Sequence, residues 1–348
     1  MAQSCDRIIN GLRKVGYVIE IIHFTSQPSR KERKTQKMGG YTCLGFVESE
    51  SHTLNMTWHY IKDLGPFDYL ISFGGHLSII GAPIYARWLE TKLIVFLRGN
   101  DFDASIFTLR KREALQYALE EAHLTFSVSN EKLQKINRWL PQSNSIYVPN
   151  GIDLSEWTPT QSEIGYSINW RNENIGNKIC LGLIGQLKIK KGIQFFIDAI
   201  NKTNLQEEIH ILLAGDVSDE DQEALDYLSF SYTLMPFLDR FELMKYYLCC
   251  DAMVIPSFYE GMPNVMLEAG ALGIPIIASN VDGMADVITP SVDGLLFQVG
   301  NEDNFRKTLY DFMALGSKRE EMGQALKEKI VTQFTAEHET QRYQKFIQ

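Results

Sequence analysis

Apolar positions along the chain follow two periods. Where they recur every three or four residues, as at Ile8, Ile9, Leu12 and Val15, they predict an amphipathic helix over residues 2–15. Where they run uninterrupted and are closed by Gly, Pro or Ser, they predict strands buried on both faces, as in a parallel sheet. The clearest runs are 68–73, 92–97, 124–128, 145–148, 180–184, 209–214, 252–255 and 275–278, with others at 17–24, 41–47, 232–237 and 295–299. Helical stretches over 78–90, 109–122, 240–248, 263–271 and from 301 onward fall between them. Alternating strands and helices predict an α/β protein, and 348 residues exceed one ordinary core, so two domains are expected. The polar stretch 159–178 reads as the linker between them, and 30–37 as a basic loop.

One stretch, Asp251 to Ser279, combines most of the chemistry. The strand Ala252–Ile255 is stopped by Pro256-Ser257, Pro263 suits the first position of a helix, and Gly273 ends that helix before the next apolar run. Strand, loop, helix and strand in this order place a helix N-terminus at the end of a parallel sheet, where first-turn amides favour an anion. Two acids flank that terminus, Glu260 in the loop and Glu268 in the helix. A carboxylate accepts hydrogen bonds from a vicinal diol, so Glu268 suits a ribose and Glu260 a hexose, with the Met262–Val265 amides on a diphosphate between them.

The stretch Glu260-Gly261-Met262-Pro263-Asn264-Val265-Met266-Leu267-Glu268 resembles the E-x7-E signature of retaining glycosyltransferases of the GT-B fold, in particular glycosyltransferase family 4. The resemblance extends over nearly the whole chain. It implies two Rossmann-like domains facing a central cleft, a nucleoside-diphosphate sugar as donor, a glycan or lipid-linked acceptor held mainly by the first domain, and neither a resident cofactor nor an obligatory metal. The expected boundaries are 1–157 for the acceptor-side domain, 158–334 for the donor-binding domain, and 335–348 for a last helix crossing back to the first.

Further motifs extend the likeness. Arg98-Gly99-Asn100-Asp101 matches the family's His-Gly-x-Asp with arginine in place of histidine, which keeps hydrogen-bond donors but cannot carry a proton at neutral pH. Gly185-Gln186-Leu187 matches Gly-Arg-Leu with glutamine in place of arginine, while Lys191-Gly192 matches the following Lys-Gly, and Lys188 or Lys190 supplies a candidate second charge. Pro149-Asn150-Gly151-Ile152-Asp153 matches the Pro-Asn-Gly-x-Asp that ends the first domain. These matches imply Glu260, Lys191 and Arg98 as catalytic contacts, and Gly185, Gln186, Lys191, Gly261–Val265 and Glu268 as the donor site. His76, Asp101 and Asn150 are then the acceptor-side candidates. Asp101-Phe102-Asp103 also has the Asp-x-Asp form of metal sites, but no metal is expected. The family opens with a further strand and Gly-rich turn before the helix matched by residues 2–15, so an interrupted middle row is expected in the first sheet. Two rivals stay open, a non-catalytic sugar-nucleotide-binding protein and a GT-B isomerase or phosphorylase.

Charge adds one asymmetry. Residues 1–157 hold 18 Lys and Arg against 16 Asp and Glu, a net of +2, whereas the remainder holds 16 against 27, a net of −11. The basic residues cluster at Arg30–Lys37 and Arg110–Arg112, which read as solvated charge or as contacts for an anionic membrane surface. Nothing resembles a nucleic-acid-binding motif, so no nucleic-acid partner is expected. No apolar run reaches the ~18 residues of a spanning helix, and a cytoplasmic enzyme is expected, either free or apposed to the inner face of the membrane. The five cysteines have no C-x-x-C spacing and read as reduced packing thiols.

Overall fold

The apolar runs become strands of three sheets. The computed structural model describes residues 2–25, 32–36, 38–45, 49–99, 101–185, 187, 189–217 and 219–347. They form two compact units, residues 1–149 with 339–348, and residues 150–338.

The first unit contains α1 (Ala2–Lys14), β1 (Ile21–Thr25), β2 (Glu32–Gln36), β3 (Gly39–Gly45), α2 (Glu50–Ile61), β4 (Tyr69–Phe73) and α3 (His76–Trp88). It continues with β5 (Lys92–Leu97), α4 (Leu109–Glu121), β6 (Leu124–Ser127), α5 (Asn130–Trp139) and β7 (Ser145–Tyr147). Strands β4 to β7 form a parallel sheet in sequence order, and β1-β3-β2 a separate three-stranded one. Thus β1 and β4 are each paired on one side only by described strands, where the family likeness expects a strand in the middle of one sheet. The basic segment read as a loop contributes β2, antiparallel to β3. Its Lys and Arg content is typical of sheet edges, where charge discourages pairing with other chains, and it hides the apolar alternation by which strands are recognised. Residues Arg30, Lys31 and Lys37 lie outside the described residues.

The second unit contains α6 (Gln161–Asn174), β8 (Ile179–Ile184), α7 (Ile193–Ile200), β9 (Ile209–Ala214), α8 (Asp219–Leu225), β10 (Ser231–Met235), α9 (Arg240–Tyr247) and β11 (Ala252–Ile255). Then follow α10 (Asn264–Leu272), β12 (Ile276–Ser279), α11 (Asp282–Val287), β13 (Leu295–Phe297), α12 (Glu302–Ala314) and α13 (Lys318–Gln333), with α14 (Ala336–Gln344) running on into the first unit's terminal segment. Its six strands are parallel in the order β10-β9-β8-β11-β12-β13. Counted from β8, this is the doubly wound order 3-2-1-4-5-6, which reverses direction between β8 and β11. Ligands bind such sheets in the crevice beyond the strand ends at that reversal.

Two sequence expectations are corrected here. The stretch 159–178 is no linker, because α6 fills most of it. Thr160 and Glu163 form a reciprocal capping box at its start, Arg171 ion-pairs with Asp251 at 2.7 Å, and Trp170 meets Tyr246 edge-on at 5.3 Å. The division between units falls after Pro149 instead of Trp157, and before Glu339 instead of Thr335. Residues 150–157 belong to the second unit because Ile152 pairs with the backbone of Phe334 and Ala336 at 2.8 and 2.9 Å, and Trp157 packs edge-on to Tyr247 at 5.3 Å.

Candidate functional site

At the reversal point of the second unit, four backbone segments converge. The loop after β11 is pinned by a bond from Phe258 N to Lys190 O (3.0 Å), and its continuation by Gly283 N to Gly261 O (2.7 Å) and Glu260 N to Asp282 Oδ2 (3.2 Å). Gly192 is held at φ +72°, and a Cβ there would lie 2.2 Å from the Pro256 carbonyl oxygen, so only glycine fits. Gly215, at φ +138°, is equally confined, since a Cβ there would lie 1.9 Å from Gly185 O. Gly185 in turn lies beside the first turn of α10, where a Cβ would sit 3.8 Å from Val265 Cγ2.

Helix α10 begins one residue later than its sequence suggests. Pro263 is the N-cap, with φ −69° and ψ 133°, and Gly273 closes the helix in the left-handed region at φ +77°. The carbonyl of Met262 accepts a bond from Asn150 Nδ2 at 2.7 Å, and Asn150 is buried. Asn150 therefore braces the loop before α10, and it belongs to the second unit, not to the one that holds His76 and Asp101: the turn that the sequence assigned to the end of the first domain folds with the second.

The two acids have distinct partners. Glu260, 11% exposed at its side chain, forms an ion pair through Oε1 with Nζ of Lys191. Glu268 is half-buried and accepts a 2.6 Å hydrogen bond from the hydroxyl of Tyr247. Tyr247 is fully buried, and burial, reinforced by Glu268, pushes its hydroxyl well above the ordinary tyrosine value. It therefore stays protonated, and a donor to Glu268, at any physiological pH. Nothing in the local sequence marks Tyr247 as a partner of Glu268; its only signal is its place four residues before Asp251, at the end of α9, directly ahead of the β11 unit. Lys190 lies 6.0 Å from the ring centre of Tyr259. Gln186 and Lys188 lie outside the described residues.

The first unit gathers its candidates at the C-terminal ends of β4 and β5. His76 is the first residue of α3 and lies 3.4 Å from Glu50, which also pairs with Arg110 at 3.0 Å. Asp101 accepts bonds from the amides of Gly75 (3.0 Å), Arg98 (3.2 Å) and Gly99 (3.3 Å) and so ties the two strand-end loops together. Asp103 pairs with the buried Lys132 at 3.0 Å. Asp101 thus ties the loop to its neighbour, and Asp103 fastens it to α5.

Arg98 is corrected most. Its guanidinium is 3% exposed and turned inward, bonded to Glu339 at 2.9 Å and to the Tyr343 hydroxyl. Glu339 is shared with Arg7 at 2.7 Å. The structure gives Arg98 the task of fastening the terminal segment to the sheet, in place of a donor contact. The fastening partner lies 241 residues away, beyond the reach of motif reading.

Comparison with known proteins follows the same division. Residues 168–329 match the family model described as glycosyl transferases group 1. Over 176 residues the chain is 27% identical to an Escherichia coli UDP-Gal:alpha-D-GlcNAc-diphosphoundecaprenol alpha-1,3-galactosyltransferase, covering 47% of this chain and 43% of that protein. It therefore spans less than half of that relative's length. Among solved structures, sucrose-phosphate synthase from Thermosynechococcus elongatus superposes with a TM-score of 0.81 at 18% identity, covering 97% of this chain and 90% of that one. Anabaena HepE, solved in complex with UDP-glucose, superposes with a TM-score of 0.75 at 16% identity over 87% of this chain and 85% of its own. The chain has the GT-B fold, and within its second unit residues 168–329 are similar to the glycosyl transferases group 1 family.

Proposed function

We propose that the protein is a retaining, metal-independent glycosyltransferase of family 4, moving a hexose-type sugar from a nucleoside-diphosphate donor to a hydroxyl of a glycan or lipid-linked acceptor in cell-surface glycan synthesis. The observation that carries this reading is the arrangement around the start of α10. The Glu260–Lys191 pair and the Glu268–Tyr247 pair flank one helix N-terminus at the reversal point of a doubly wound sheet. The amides of that terminus and Lys191 neutralise charge growing on the leaving diphosphate, Glu268 holds the ribose, and Glu260 orients the transferred sugar. The protein supplies no nucleophile in this scheme; the leaving phosphate assists the acceptor hydroxyl. His76 and the loop tied by Asp101 form the acceptor side, at the inner face of the membrane. Similarity to an enzyme named for a diphosphoundecaprenol substrate favours a lipid-linked acceptor. Incubation with radiolabelled nucleotide sugars, followed by analysis of the product's anomeric configuration, tests the reading. Binding of donor without transfer to any acceptor would leave a sugar-nucleotide-binding protein instead.

The two acids should separate kinetically. Glu268→Ala is expected to weaken donor binding, because a ribose contact is alike in ground and transition states, whereas Glu260→Ala is expected mainly to slow transfer. Equal effects confined to KM would overturn that division. Tyr247→Phe removes only the hydroxyl that orients Glu268, and a hydrogen bond to a charged group contributes ~1.5–3 kcal/mol. Affinity for the ribonucleoside diphosphate should fall roughly tenfold or more by that magnitude, and preference over its 2′,3′-dideoxy analogue should shrink. Calorimetry showing an undiminished preference would mean that Tyr247 acts on folding alone.

A further inference from the structure

We infer that the segment Phe107–Arg112, leading into and opening α4, is a docking wedge for an anionic phospholipid bilayer. The segment before it is firmly fastened. Phe102 is 1% exposed and packs edge-on to Trp139 at 6.1 Å, while the amides of Ser105 and Ile106 both bond the Phe102 carbonyl at 3.0 Å. Thr108 N bonds Ser105 O at 3.1 Å, and Asp103 is clamped by Lys132. Helix α4 faces the core with Leu115, Ala118 and Leu119. Despite this order, Phe107 is 91% and Leu109 62% exposed.

A phenylalanine held outward on a hydrogen-bonded turn, beside an exposed leucine and followed directly by exposed Arg110, Lys111 and Arg112, matches the needs of an interface between water and lipid. Apolar side chains enter the acyl boundary while basic ones stay at the headgroups. Glu50 and Glu113 offset part of the basic charge. The apolar pair must therefore supply most of the affinity, and the cations the preference for acidic lipid. The wedge also stands where it serves the acceptor half of the proposed function, on which its biological purpose rests. Glu50 bridges Arg110 to His76, so the segment shares one end of the first unit with the acceptor-side loops.

The test uses the full chain sedimented with vesicles of phosphatidylcholine alone or mixed with phosphatidylglycerol. Wild type should pellet with the mixed vesicles. Phe107→Ser combined with Leu109→Ser should lower apparent affinity about a hundredfold or more, since both apolar anchors are lost. Lys111→Gln combined with Arg112→Gln should cost about fivefold per charge and abolish the difference between the two lipids. Unchanged melting temperature and nucleoside-diphosphate affinity would show that the variants fold. Undiminished pelleting of the Phe107/Leu109 variant would overturn the inference. So would self-association of wild type without vesicles that this variant abolishes, because the occupant would then be a second copy of the chain. A chain that pellets as described but binds no nucleoside diphosphate would leave the wedge standing and remove the transferase reading.

Discussion

Lys191→Ala is expected to lower kcat/KM by about 10²–10³, the loss of roughly 2.7–4 kcal/mol that follows removal of one preorganised charge-stabilising donor. The side chain is placed for this by backbone that tolerates little change. Gly192 after it is confined against the Pro256 carbonyl, and Lys190 before it receives the Phe258 amide. Its charge is already matched to Glu260. In the proposed scheme, a donor diphosphate at the α10 terminus adds negative charge on one side of Lys191 while Glu260 turns to the sugar on the other. Most of the loss should appear in kcat, because charge on the diphosphate grows as the glycosidic bond breaks. The two residues should also be coupled: the double variant with Glu260→Ala is expected to lose less than the product of the single losses. Steady-state kinetics with saturating donor decide it. A change confined to KM, or strictly multiplicative effects, would place Lys191 outside the reacting centre.

What sequence could and could not disclose follows from the range of each interaction. The β11-loop-α10-β12 unit was legible because strand, proline, glutamate, helix and glycine all lie within 29 residues and each has a local physical signature. The capping box of α6 is equally local, in Thr160 and Glu163, but the polar composition around it masks the helix as a linker. Asn150 was identified by motif yet assigned to the wrong half, because a turn has no preference for either side; its 2.7 Å bond to Met262 decides the matter across 112 residues. Tyr247 and Glu268 are only 21 residues apart, but a tyrosine on a short helix carries no mark that its hydroxyl will meet a carboxylate. Of the proposed wedge the basic cluster Arg110–Arg112 was legible, but Phe107 and Leu109 were not, since apolar residues beside Ile106 read as core until their exposure is seen.

The largest effect on stability is expected from Glu339→Ala, a loss of roughly 3–5 kcal/mol, as is typical when one partner of a buried ion pair is removed. Glu339 is 2% exposed between Arg98, itself 3% exposed, and Arg7, so its removal leaves buried guanidinium charge without its counterion. Burial alone would raise the Glu339 carboxyl, but Arg98 and Arg7 outweigh burial and hold it below the usual carboxylate range. The sign of the pH dependence follows. A depressed carboxylate binds fewer protons folded than unfolded, so its contribution is fully present above the ordinary value of 4.5 and is lost as pH falls through the lower folded value. Urea unfolding followed through the first-unit tryptophans between pH 7 and pH 3 measures both effects. Glu339→Gln should be less stable than wild type at pH 7 and should lose less on acidification, so that the two curves converge in acid. Arg98→Met should likewise unfold more easily while the surviving enzyme keeps its kcat. Parallel curves for wild type and Glu339→Gln would remove the ion pair from the account of stability, and a fall in kcat for Arg98→Met would return that arginine to the donor.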